Sequence, residues 1–147
     1  MRSLGIRIGI VVVLVVVALI LRPYISGNAG DLNVGDCFDP PTDTATEVND
    51  VQHHPCSDPH GAEVFFVGKL PDASAMPDQA TRQQWVLDNC YPAYQTYTGT
   101  DVSTSIDWEV AWFRPTDDGW SKGDRVVTCY AERRDGTKTS GSLKKTS

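Results

Sequence analysis

Ile106-Asp107-Trp108-Glu109-Val110-Ala111-Trp112-Phe113-Arg114-Pro115 alternates with a period of two, which sets Ile106, Trp108, Val110 and Trp112 on one face and Asp107, Glu109, Ala111 and Phe113 on the other. A helix would scatter both sets around its surface, so the stretch reads as a strand. Asp117-Asp118-Gly119 turns the chain, and Arg125 to Arg133 forms a second strand with Val127, Cys129 and Ala131 on a shared face. Asp135-Gly136 is a hairpin signal leading into a further strand from Thr137 to Leu143. Toward the N-terminus, Glu63 to Leu70 (EVFFVGKL) is dense in β-branched and aromatic residues, while Val48 to His54 and Leu32 to Phe38 read as shorter strands separated by a loop at Pro40 and Pro41. One segment departs from this pattern. Asp78 to Asn89 carries helix formers behind Pro77, and Pro92 in its continuation predicts a kink or a restart. The fold class is therefore α+β, a mostly antiparallel sheet of about five strands with one packed helical segment.

Composition divides the chain in two. It has 147 residues with 13 basic and 19 acidic, a formal net charge of −6. All the acids lie at or beyond Asp31, where they meet ten of the basic residues, while Arg2, Arg7 and Arg22 are the only charges before it; the two parts carry +3 and −9. The mean hydropathy of −0.29 averages a polar domain with a leader in which 15 of the 18 residues from Leu4 to Leu21 are aliphatic. Ile8 to Leu21 has no charge and would span about 21 Å as a helix, against roughly 30 Å of hydrocarbon, so a crossing requires Arg7 to extend toward the inner interface. A cleaved signal peptide is the competing reading, but its one candidate site, Gly27-Asn28-Ala29, lies well beyond the apolar stretch. The reading adopted is residues 1–22 as a short cytoplasmic end and a single transmembrane helix, 23–31 as a tether, 32–143 as an extracytoplasmic domain and 144–147 as a tail. The acidic balance excludes a nucleic-acid partner, because phosphate binding needs clustered Lys and Arg. The N-terminal helix makes the membrane itself a partner.

Cys37, Cys56, Cys90 and Cys129 all follow the leader, and an even count in that position reads as two disulfides. Three connectivities are available, of which Cys37 with Cys56 and Cys90 with Cys129 pair neighbours along the chain. The wide gaps are unlike the paired CxxC spacing of a zinc site.

Two groups could carry a site. Gln52 to Glu63 (QHHPCSDPHGAE) holds every histidine, and His53, His60 and Glu63 form a candidate polar or metal-dependent hydrolytic centre; Pro55 and Pro59 exclude a helical metal motif there. The bland alternative is a proline-shaped loop around a disulfide. Tyr91, Tyr94 and Tyr97 recur beside Trp85 and could stack on a cell-wall glycan or a small ligand if exposed, although such stripes commonly pack in cores. There is no GxSxG, reactive-cysteine or phosphate-loop pattern, so neither an enzyme nor a cofactor is expected.

Gly35-Asp36-Cys37-Phe38, Pro55-Cys56-Ser57-Asp58-Pro59-His60 followed by Glu63-Val64, Trp120 through Gly123-Asp124-Arg125 to Cys129, and Ser140-Gly141-Ser142-Leu143 together resemble the septum formation domain family of actinobacterial envelope proteins. The resemblance covers roughly Val34 to Leu143. It implies a membrane-tethered extracytoplasmic domain connected with septum formation or cell division; the anchor, the cysteine framework and the absence of a catalytic set make the expected role an interaction or scaffold module of the cell envelope, with an envelope or division protein as partner. It carries over no catalytic activity.

Overall fold

The computed structural model describes residues 11–13, 26–41 and 50–146. Six strands form one antiparallel sheet: β1 (Ser26–Asn28), β2 (Cys37–Asp39), β3 (Asp50–His54), β4 (Ala62–Lys69), β5 (Trp108–Phe113) and β6 (Val126–Arg133), in the spatial order β1-β3-β2-β4-β6-β5. Helix α1 (Gln79–Thr98) lies between β4 and β5 in the chain, and the single-turn helix α2 (Asp117–Ser121) joins β5 to β6. The longest pairing, β4 with β6, runs from Ala62 opposite Glu132 to Lys69 opposite Val126.

The alternation seen in the sequence sorts the two cores. Val127, Cys129 and Ala131 of β6 face α1, which buries Val86, Cys90 and Tyr94 at spacings of four residues, and Trp108, Val110 and Trp112 of β5 pack against that same cluster. Tyr130, Ala111 and Phe113 point to the other face, where Phe38, Val51 and Val64 form a second core covered by Ala29 and Leu32. A bulge in β4 between Val64 and Phe66 shifts the register, so that Phe65 and Phe66 both pack on the α1 side. Cys90 bonds to Cys129, stapling α1 to β6, and Cys37 bonds to Cys56, tying β2 to the loop after β3.

Four departures from the sequence reading have physical causes. α1 does not stop near Asn89 but runs unbroken through Pro92 to Thr98; Pro92 is exposed, so the missing backbone bond and the ring lie on the solvent side while Cys90 and Tyr94 hold the buried side. Gly99, at φ 82°, ends the helix and donates its N–H to the Gln95 carbonyl. The first strand is only Cys37–Asp39, because Asn33 to Asp36 form a turn closed by the Asn33 N–H on the Asp36 carboxylate. Thr137 to Leu143 is not a strand: Asp135 takes the Thr137 N–H and hydroxyl, and a lone bridge between His60 and Thr139 is all the ladder that forms. The sheet instead gains β1, within the segment read as a tether, which pairs with β3.

The transmembrane reading of the leader lies outside the described residues, apart from a helical turn at Val11–Val13. Among the described residues no helix is long and apolar enough to cross a membrane.

Candidate functional site

The loop entering β4 is built around prolines, as its sequence requires. The Asp58 N–H bonds the Pro55 carbonyl, and the turn delivers His60 into the interior, where it is fully buried. Its Nδ1 donates to the Asp58 carbonyl at 2.8 Å, and Nε2 has no hydrogen-bond partner among the described residues. Three residues on, Glu63 is 1% exposed on the face of β4 that looks toward α1.

A buried carboxyl needs donors, and three reach it. The Tyr97 hydroxyl from the end of α1 and the Ser142 hydroxyl both donate to Oε1 at 2.6 Å, and the Leu143 N–H donates to Oε2 at 2.6 Å. Each of these three hydrogen bonds is donated to the carboxyl oxygens. Burial, followed by the hydrogen bond to Glu63 and its negative charge, pushes the Tyr97 phenol from 10.0 up to about 12. Tyr97 therefore stays a donor across the physiological range.

These contacts fasten the C-terminal segment across the molecule. Thr139 exchanges backbone bonds with His60, the Gly141 N–H reaches the Cys56 carbonyl at 2.6 Å, Ser142 and Leu143 hold Glu63, and the Lys145 N–H bonds the Tyr97 carbonyl at 2.9 Å. Residues 139–145 thus form a strap bound at five successive points to the β4 entry loop and the end of α1.

The sequence placed Glu63 and Tyr97 in different hypotheses, and the structure joins them in one cluster. His53 stands apart: it is paired with Phe38 on the face opposite Glu63, because strand alternation separates it from the α1 side. Its neighbour His54 bonds Asp39 through Nε2 at 2.8 Å. Burial acts to raise the Asp39 pKa, but the hydrogen bonds from Lys138 and His54, the charge of His54 and the Gly61 N–H outweigh it and hold the group below its ordinary value. The ligand atoms of Cys37, His60 and Glu63 lie within 4.8 Å of one another, a spacing a metal could use. The Cys37 sulfur is already bonded to Cys56, however, so the trio offers no thiolate while that disulfide stands. Ser142 donates to a carboxylate and not to an imidazole, so His60, Glu63 and Ser142 do not form a nucleophile–imidazole–carboxylate relay.

The aromatic residues do not form an exposed row. Tyr94 is 2% exposed and meets Phe65 edge-on at 5.4 Å; Tyr91 and Tyr97 are half-buried; Trp85 leans on Phe66 with ring centres 6.3 Å apart. Beside them, however, an open cleft of about 520 Å³ lies between β4, the second half of α1 and the strap, lined by Phe65, Phe66, Ala93, Tyr97, Lys144 and Lys145, with Thr96 completing it. Sequence reasoning gives Ser142 no role of its own and takes Lys144 and Lys145 as ordinary solvated charges. The signal for Ser142 was its place in Ser140-Gly141-Ser142-Leu143; the lysines carried none, since only the course of the strap sets them beside α1.

The quoted sequence pieces acquire physical roles here. Gly35 donates its N–H to the Val64 carbonyl, and Arg125 stacks its guanidinium 3.7 Å from the centre of the Trp120 ring while donating to the Trp120 carbonyl at 2.8 Å. Three of the four pieces converge on or beside Glu63. No curated protein and no solved structure gives a significant match to the chain. The model of the septum formation family matches residues 30–146, which spans both disulfides, the strap and all of the two cores but Ala29, and on that match the chain belongs to the septum formation family.

Proposed function

We propose that this protein is a non-enzymatic interaction or scaffold module of the cell envelope that acts in septum formation, with the N-terminal apolar segment as a single membrane anchor and residues 32–143 outside the membrane. The observation that carries the reading is the family match across residues 30–146. Two disulfides that staple separate elements support an oxidising, extracytoplasmic location for the folded part. The +3 leader and −9 remainder support the orientation, because cytoplasmic flanks carry the excess of Lys and Arg. Its partner in this reading is another envelope or division protein.

A fluorescently tagged full-length copy in dividing cells tests the septal part, combined with crosslinking from the outer side. The expected result is enrichment at division sites and capture of a division protein. Even distribution around the envelope, with no such protein captured, overturns it.

A further inference from the structure

We propose that the cleft between β4, α1 and the strap binds a small anionic amphiphile, an alkyl or prenyl chain ending in a phosphate monoester, with the chain over Phe66 and Tyr97 and the phosphate against Lys144 and Lys145. The volume of about 520 Å³ falls within the range of small-molecule sites. Its floor is apolar and rigid. The bulge turns both phenylalanines to this side, Phe65 is held by Tyr94, and Phe66 leans on Trp85, with the absent side chain of Gly68 giving both rings room: a Cβ there would meet Phe66 at 2.7 Å and Trp85 at 2.8 Å.

Charge selects the ligand. Residues from Asp31 onward carry a net −9, and Arg114, Lys122, Arg125, Arg133, Arg134 and Lys138 each pair with a carboxylate. Among the described residues no ion pair engages Lys69, Arg82, Lys144 or Lys145, and of these four only Lys144 and Lys145 line the cleft. Two consecutive lysines on the wall of one cleft call for an anion of nearly two charges, which a phosphate monoester supplies and a single carboxylate does not. The backbone beneath them is fixed beforehand, since the Lys144 N–H bonds the Ser142 hydroxyl at 3.1 Å and the Lys145 N–H bonds the Tyr97 carbonyl at 2.9 Å. Ordering of the strap is therefore not charged to binding. The buried Glu63 cluster acts here as a positioning group: it holds the strap that forms the cationic wall.

The test is an amide NMR titration of the isotope-labelled full chain in lipid nanodiscs, with octyl phosphate, hexyl phosphate, octanol and inorganic phosphate as probes. Octyl phosphate should give saturable shifts centred on Ala93, Thr96, Lys144 and Lys145. Each methylene beyond hexyl phosphate should tighten binding about three- to fourfold. Octanol and inorganic phosphate should each bind at least tenfold more weakly, and Lys144→Gln combined with Lys145→Gln should weaken octyl phosphate by at least tenfold. Thr96→Trp, which adds bulk at an exposed rim position, should block the cleft without touching either core. Absence of saturable shifts overturns the proposal. So does octanol binding as tightly as octyl phosphate, inorganic phosphate doing so, or retention of full affinity in both variants. Failure of septal localisation leaves this outcome unaffected, and the reverse holds equally.

Discussion

At the scale of the residue, the molecule turns on one buried carboxylate. Glu63 is enclosed where an uncompensated charge would be prohibitive, and the donors that make it tolerable come from a tyrosine at the end of a helix and from a segment near the C-terminus. Replacing Tyr97 with Phe removes one donor and leaves Glu63 the other two, so chemical denaturation should show a loss of about 1 to 2 kcal/mol. The same variant should change the alkaline behaviour. An unfolded tyrosine releases its proton near 10.0, whereas Tyr97 holds its own up to about 12. Its contribution is thus complete below pH 10 and is lost as the pH rises through 12. Between those limits the Tyr97→Phe variant should lose less stability than the parent. It will retain some alkaline loss, because burial and the charges of Glu132 and Glu109 raise Tyr130 as well. Parallel pH profiles for the two proteins would refute the assignment. None of this was legible in the local sequence. Glu63 and Tyr97 are 34 positions apart, and Ser142 is 79 positions from Glu63, so no spacing rule links them.

At the scale of the element, strands were more legible than the helix and the C-terminal segment. From Trp108 to Phe113 and from Val126 to Arg133 the strands follow the alternation, because each face meets a different core and a slip of one position would exchange them; Ile106, read onto the same face as Trp108, instead precedes β5 and is 86% exposed. α1 defeated the proline rule because Pro92 points outward from a helix held elsewhere by Cys90, Tyr94 and an N-cap in which Asp78 accepts the Thr81 N–H at 2.8 Å. Burial acts only weakly against that hydrogen bond, and the Asp78 pKa is lowered by it. Pro92→Ala restores the missing N–H to the helix on an exposed position and should stabilise the protein by about 1 to 2 kcal/mol, the larger helix gain being partly offset by greater freedom of the unfolded chain. A thermal unfolding curve checks this, and an unchanged or lowered midpoint would show that Pro92 itself contributes to docking α1 on the sheet. The strap went unread as such because its turn-forming residues mimic a hairpin while its actual anchors are side chains on other elements.

At the scale of the whole molecule, two small cores lie on opposite faces of one sheet, and two disulfides staple α1 to β6 and β2 to the loop after β3. On the chain-entropy model, closing loops separated by 19 and 39 positions contributes roughly 3 and 4 kcal/mol, a large fraction of the stability of a domain of this size. Replacing Cys90 and Cys129 together by Ala should therefore lower the unfolding midpoint by on the order of 15 °C. The Cys37 and Cys56 double replacement should cost less, and equal effects would argue that loop length is not the governing variable. The sequence by itself determined the α+β class, the strands that became β4, β5 and β6, and the split of charge at Asp31, because each is written in local periodicity or composition, whereas it offered three cysteine connectivities and the fold selected the pairing of chain neighbours. Tertiary structure alone decided that Glu63, Tyr97 and Ser142 share one buried cluster, that β1 completes the sheet, and that Lys144 and Lys145 border an aromatic cleft. Those arrangements join residues far apart in the chain, and what brings them together is the burial of two cores and the need of one enclosed carboxylate for donors, neither of which has a local signature.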